Sequence, residues 1–253
     1  MLPNGNSQPI QLKGGLLTWD RKLDRIPSRD ARNGNYPLRT VLAADSRVNL
    51  QPRSYTWPVG TNMHYQTYLD QGQEGACVGF AFAHELLAKP QHVIIGEAGA
   101  RDLYRNAQLL DEWPGEDYEG TSVLAGAKVV TGQGYYKSYS WTSNAYELAV
   151  AVSRFGPAVL GINWYENMYN VNRGGWLIPS GEIVGGHAIL CKGYNKNGNY
   201  FILHNSWGEG WGMQTYGLRG CGKVEFDAMQ YLLNQGGEAC LPSRNPYPVT
   251  PSM

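Results

Sequence analysis

No stretch of this sequence approaches the roughly 20 consecutive apolar residues that a spanning helix needs, so a helical membrane protein is not expected. Neither sign of charge is in excess: Lys plus Arg and Asp plus Glu both number 21. No global field therefore favours nucleic acid or an anionic membrane, and neither is expected as a partner. The 4 cysteines contain no C-x-x-C pair, which argues against a zinc ribbon or a thioredoxin-type site. Nor do so few cysteines make a disulfide scaffold in 253 residues. Cys221 and Cys240 are the one pair considered for a bridge, with two free thiols the favoured alternative. Residues Met1 to Asn6 have neither a basic head nor an apolar run. The reading is no signal peptide and cytoplasmic synthesis, with release by lysis or packaging in a particle left open.

Metal motifs are missing too. His84-Glu85 begins like a zinc-binding helix, but Ala88 stands where the second histidine is required. The acidic run Asp111, Glu112, Glu116, Asp117 and Glu119 lacks the spacing of an EF-hand loop and reads as a solvated loop. No metal and no cofactor is called for.

What is present is a globular composition, with 42% hydrophobic and 17% charged residues. The length suits one large domain or two small lobes sharing a core. The 17 Tyr and 8 Trp read first as packing residues. Residues 1–64 form an irregular arm, interrupted by Pro3, Pro9, Pro27, Pro37, Pro52 and Pro58. Arg21, Lys22, Arg25, Arg29, Arg32 and Arg39 make part of it basic. It either wraps over the domain or reaches to a protein partner or assembly; a solvated leader is the plainer alternative.

The domain proper is expected over 65–240, with a helical lobe about 65–140 and a β lobe about 141–240. Helices are predicted from Cys77 to Ala88, Ala100 to Leu110, Thr121 to Val130 and Asn144 to Phe155. Strands are predicted from Ala158 to Trp164, His187 to Tyr194, Tyr200 to His204 and Gln214 to Arg219. Asn197-Gly198 is a hairpin turn signal between the second and third of these. Residues 241–253 read as a tail. Helices first and an antiparallel sheet second is the α+β class.

A thiol nucleophile needs a lowered pKa, a base within reach and donors for an oxyanion. Cys77 opens a predicted helix, where the dipole favours a thiolate. His187 opens one hairpin strand and Asn205 closes the other. The near-equal strands predict direct cross-strand neighbours, so the asparagine amide could hold the imidazole. His204 should point to the opposite face. His84 lies seven residues along the helix from Cys77, about 10 Å at the helical rise, and is too far to serve as base.

At these residues the sequence resembles the papain-like (C1) family of cysteine peptidases. Gln71-Gly72-Gln73-Glu74-Gly75-Ala76-Cys77 is similar to the family's nucleophile segment. Gly185-Gly186-His187-Ala188 is similar to its histidine segment, and Asn205-Ser206-Trp207-Gly208-Glu209-Gly210-Trp211-Gly212 to its asparagine segment. The resemblance implies a two-lobe papain-like fold and thiol-dependent hydrolysis of peptide bonds. It makes Cys77 the nucleophile, His187 the base, Asn205 its orienter and Gln71 an oxyanion donor. Trp207 would cover the His187–Asn205 hydrogen bond, and Cys77 and His187 would rest as a thiolate–imidazolium pair. Gly120 and Thr121, with Gly186, would border the substrate cleft, where a peptide pairs as an added strand.

The departures are Glu74, where many members have a disulfide cysteine, and Val78, where an aromatic often follows the nucleophile. The arm also lacks the family's helical pro-segment pattern. These features resemble short bacterial or bacteriophage members. The expected partner is a protein or peptide substrate, including the peptide part of a cell wall. The alternative is a structural or assembly protein, for instance a virion component, that keeps the fold. A transpeptidase or deamidase using the same acyl-enzyme is a third reading.

Overall fold

The structure is a computed structural model that describes residues 21–27, 36–44, 51–60, 67–111 and 119–244. Among these, the elements in chain order are α1 (Leu38–Ala44), β1 (Tyr55–Thr56), α2 (Cys77–Leu87), α3 (Glu97–Gln108), α4 (Val123–Gly132), β2 (Tyr136–Thr142), α5 (Ala145–Arg154), β3 (Ala158–Tyr165), β4 (Ile183–Asn195), β5 (Tyr200–His204), β6 (Cys221–Glu225), α6 (Phe226–Asn234) and β7 (Glu238–Arg244). The strands make one sheet in the order β2-β7-β3-β4-β5-β6, with β1 added to β4. The named strand pairs are all antiparallel. This is the α+β arrangement expected.

Local chemistry explains the helix starts. Ser122 accepts a hydrogen bond from the Ala125 amide, and Asn144 accepts from Tyr146 and Glu147. Each cap satisfies backbone donors that a helix leaves open at its first turn. α2 has no such cap and is buried along its whole length. It is a core helix, set by the apolar run rather than by an amphipathic stripe.

Alternation along the strands builds two cores. Val159 of β3 and Ala188 and Leu190 of β4 pack with α2, α3 and α4. Leu160, Ile162 and Trp164, with Ile189 and Cys191, pack with α5 and α6. Successive side chains on a strand point to opposite faces, so one sheet serves both cores.

Several expectations need correction. Gln214 to Arg219 is a turn, and the sheet's edge strand is β6 instead. Gly217 and Gly220 have φ of 75° and 65°, left-handed backbone that a strand cannot accommodate. The arm is not irregular throughout, since α1 and β1 lie within it. β7 continues to Arg244, so the first residues of the expected tail belong to the sheet; the rest of that tail lies outside the described residues. β2 spans the expected boundary between lobes. Cys221 is buried, and all 4 cysteines are free, the favoured alternative to a Cys221–Cys240 bridge. Of the acidic loop, only Asp111 and Glu119 lie among the described residues.

Asn205 and His187 are not direct cross-strand neighbours. Between Cys191 and Gly193 the β4–β5 register shifts, leaving Lys192 as an extra residue in β4. Beyond this bulge Leu190 faces His204, which sets Asn205 diagonally across from His187. Without the bulge, the pairing Gly193↔Ile202 would bring Asn205 opposite Leu190 and place it on the other face from His187. One extra residue therefore decides the site's geometry. The N-terminal region holds the bulge: the Trp57 amide donates to the Lys192 carbonyl at 2.8 Å.

Beneath the site, His84 and His204 lie ring to ring at 4.3 Å, both fully buried. Burial, with Lys192 nearby as the lesser cause, lowers the pKa of His84 to about 3. Burial lowers His204 as well, with His84 and Lys192 adding to it. The unfolded chain takes up protons below the ordinary histidine pKa of about 6.5 that the folded chain refuses. Stability is then greatest above that pH and falls as the pH drops through the window below it. The unfolding free energy from urea titration should decline from pH 7.5 to pH 5, by up to about 1.4 kcal/mol per pH unit for each histidine. A flat profile would show that the pair is protonated in the fold.

Candidate active site

Cys77 is the first residue of α2 and follows Ala76, whose side chain caps nothing. The first amides of a helix have no intrahelical acceptor, so those at Cys77 face outward as ready donors. The sulfur lies against the backbone amide of Ala188, the residue after His187. The nucleophile helix and the histidine strand thus meet at this point.

His187 Nε2 lies 2.8 Å from Asn205 Oδ1. The same oxygen accepts the Ser206 amide, also at 2.8 Å. An acceptor is needed there for Ser206, which fixes the orientation of the asparagine amide. His187 must therefore carry its proton on Nε2. Its Nδ1 holds the lone pair and has no hydrogen-bond partner among the described residues. This is the tautomer that a base toward Cys77 requires.

Aromatic rings close the back of this dyad. Trp207 lies 5.1 Å from the His187 ring, and Tyr169 stacks on Trp207 at 5.8 Å. Trp164 meets the imidazole edge-on at 4.7 Å. Trp164 was not legible as a site residue. Its signal was the alternation Ile162, Trp164 on a strand whose partner was not yet known; the register pairs Trp164 with Gly185, two residues before His187.

Gln71 is anchored twice to the asparagine segment. Its amide donates to the Ser206 carbonyl at 2.9 Å, and its Oε1 accepts the Ser206 hydroxyl at 2.7 Å. Its Nε2 donates to the Glu74 carbonyl at 3.0 Å. Ser206, also missed in the sequence, orients the glutamine through its hydroxyl hydrogen bond.

The cleft is not open. Residues 21–27 run through it as a strap. The Arg25 amide donates to the Gly186 carbonyl and the Ile26 amide to Thr121, both at 2.9 Å. The Lys22 carbonyl accepts Gln71 Nε2 at 3.3 Å. Gly120, Thr121 and Gly186, expected to receive a substrate, receive this segment instead. A Cβ at Gly186 would lie 2.2 Å from the Arg25 carbonyl oxygen, and one at Gly120 would lie 1.9 Å from that of Asp24. Both positions must be glycine for the strap to lie this close. The arm therefore wraps over the domain at these residues; its first 20 residues lie outside the described part.

Three ion pairs hold the strap: Arg21 with Asp70, Lys22 with Glu119, and Arg25 with Glu238. The amide of Asp24 faces the Cys77 sulfur. The sulfur thus meets an N–H donor of the strap.

Coverage alters the electrostatics. Burial pushes the Cys77 thiol up to about 11, against the pull of the Ala188 and Asp24 amides. Burial also lowers His187 to about 4, opposed by its Asn205 hydrogen bond. The expected thiolate–imidazolium pair is therefore absent under the strap, and both groups are neutral. Two charges in a dry site lose hydration that neutral partners need not give up.

Residues 115–231 match the family model described as papain family cysteine protease, a stretch that includes His187 and Asn205 but not Cys77. Cathepsin O of Homo sapiens is 33% identical over 86 residues, which is 32% of this chain and 26% of that protein. The matches to the first curated relatives cover only 21 to 26% of their lengths. Among solved structures, digestive procathepsin L2 from Tenebrio molitor is 20% identical with a TM-score of 0.58, covering 89% of this chain and 79% of that one. Xylellain, a cysteine protease from Xylella fastidiosa, is 18% identical with a TM-score of 0.53, covering 88% and 91%. The fold is papain-like.

Loosening the strap should expose the sulfur. Arg25→Ala and Gly186→Ala, each in the full chain, should speed alkylation of Cys77 by iodoacetamide at least about tenfold, equivalent to about 1.4 kcal/mol of strap binding. About 0.5 M salt should act in the same direction through the exposed Lys22–Glu119 pair. Rates that stay at the wild-type value in both variants would mean that the strap does not limit access.

Proposed function

We propose that this chain is a papain-like cysteine peptidase that its own residues 21–27 hold in a latent state. The observation that carries the reading is the doubly fixed Asn205 oxygen, which leaves His187 Nδ1 bare on the strand that touches Cys77. Once the strap leaves and water reaches the cleft, the penalty on charge falls. Nδ1 then takes the thiol proton and the sulfur attacks a peptide carbonyl carbon. Gln71 Nε2 and the Cys77 amide receive the developing oxyanion. The imidazolium returns its proton to the leaving amine, and water, activated by the same nitrogen, hydrolyses the thioester.

A protein or peptide is the substrate class, because the strap itself shows how an extended backbone lies between Thr121 and Gly186. The free thiols and the absence of a cysteine at position 74 support action in a reducing compartment.

The test uses the full chain carrying Arg25→Ala and a set of fluorogenic peptide amides. Hydrolysis should be lost with Cys77→Ala. Gln71→Ala should lower kcat by about 10²–10³, the usual effect of removing one oxyanion donor. Hydrolysis that persists without the Cys77 sulfur would overturn the assignment.

A further inference from the structure

The stretch from Gln71 to Ala76 leads into α2 through turns and bends. Gly72 within it has φ of 64°, and no side-chain cap fixes the start of the helix. All 4 cysteines are free, so no covalent tie holds it either. Yet it carries Gln71 Nε2, an oxyanion donor whose value depends on being in place before the charge forms. Ser206 holds one side of the stretch, through the amide and Oε1 of Gln71.

The other side is held by α3. Glu97 and Arg101 lie four residues apart on that helix and so share a face. Glu97 Oε1 accepts the Asp70 amide at 3.2 Å, and Arg101 Nε donates to Glu74 Oε2 at 2.9 Å. Arg101 Nη1 donates to Glu97 Oε2 at 3.3 Å, which closes a ring of contacts from position 70 to position 74. The guanidinium also lies over the Phe80 ring of α2, 5.4 Å from its centroid. Glu74, gripped in this way, is where the stretch folds back on Gln71. Its amide donates to the Gln71 carbonyl at 3.3 Å, and its carbonyl accepts Gln71 Nε2 at 3.0 Å.

We propose that Arg101 is a positioning residue for the oxyanion donor: by holding the Glu74 carboxylate it fixes the Glu74 carbonyl, which sets the direction of Gln71 Nε2. The assignment rests on the peptidase reading. A glutamine amide nitrogen carries two hydrogens. The one bound to Glu74 orients the group. The second faces the Lys22 carbonyl at 3.3 Å under the strap, and is left for the oxyanion once the strap leaves. A lone ion pair as exposed as Arg101–Glu74 contributes little to stability, but this one belongs to a closed network. The planar guanidinium directs a separate nitrogen to each carboxylate, which a lysine cannot reproduce. Its role is geometric. The charge that Gln71 meets exists only in the transition state, so a misplaced donor lowers kcat and leaves KM nearly unchanged.

The experiment uses the full chain with Arg25→Ala, which loosens the strap, and a fluorogenic peptide amide. Arg101→Ala should lower kcat at least about tenfold, short of the 10²–10³ expected for removing the donor itself. KM should stay within about twofold, and Arg101→Lys should show part of the same loss, which keeps the comparison open if the alanine variant does not fold. In a Gln71→Ala background either substitution should change kcat by less than about twofold, because the group it positions is gone. An undiminished kcat, or the same loss in both backgrounds, would overturn the assignment while leaving the peptidase intact. Iodoacetamide should alkylate Cys77 at the parent rate in the Arg101 variants; a rate that falls with kcat would instead mean a general loosening of α2 and overturn the role. If no amide is cleaved, the peptidase reading fails, and the positioning is read by NMR. The Gln71 side-chain amide signals, assigned by their loss in Gln71→Ala, should shift and exchange faster with water in the Arg101 variants. Unchanged signals would overturn the positioning.

Discussion

The site depends on which face of β4 carries His187 relative to Asn205. Strand side chains alternate with a period of two, so a register displaced by one residue would separate the pair across the sheet. The extra residue at Lys192 supplies the displacement that joins them. From that single bulge follow the His187–Asn205 hydrogen bond, the tautomer of the imidazole and the bare nitrogen toward Cys77. The Trp57 amide and the edge strand β1 lie on the bulge, so residues that precede the domain in sequence help to set the geometry inside it.

The second constraint is water. A thiol and an imidazole become an ion pair only where their charges remain solvated or paired with donors. With residues 21–27 in place, both lie dry, and the neutral forms win. The same segment offers the Asp24 amide to the sulfur and the Lys22 carbonyl to Gln71. The strap thus alters both the protonation state of the pair and the groups that face the sulfur.

Charge complementarity holds this segment in the cleft. A chain with no net charge places basic residues on the strap and Asp70, Glu119 and Glu238 around it. The Lys22–Glu119 pair is exposed and weakened by salt, whereas the Arg25–Glu238 pair is buried. The close passage of the backbone over Gly120 and Gly186 adds a steric requirement that a bulkier rim would not meet.

The sequence by itself determined the class of fold and the chemical parties. The apolar run after Cys77 could only be a buried helix, the Asn197-Gly198 turn dictated a hairpin, and the residues around Gln71, Cys77, His187 and Asn205 resembled one family's motifs in order. These are local properties, set by propensity, turn chemistry and periodicity. The tertiary structure alone decided the rest. A bulge cannot be read from one strand, because it is a mismatch between two. The strands β2 and β7 were not recognised, since each gains its place from pairing with the other, and their sequences lack clean alternation. Trp164, Ser206 and Glu238 entered the site through long-range contacts that no spacing announced. The arm looked irregular because its hydrogen bonds are made to the cleft and not to itself, so its order exists only where the folded domain provides the partners.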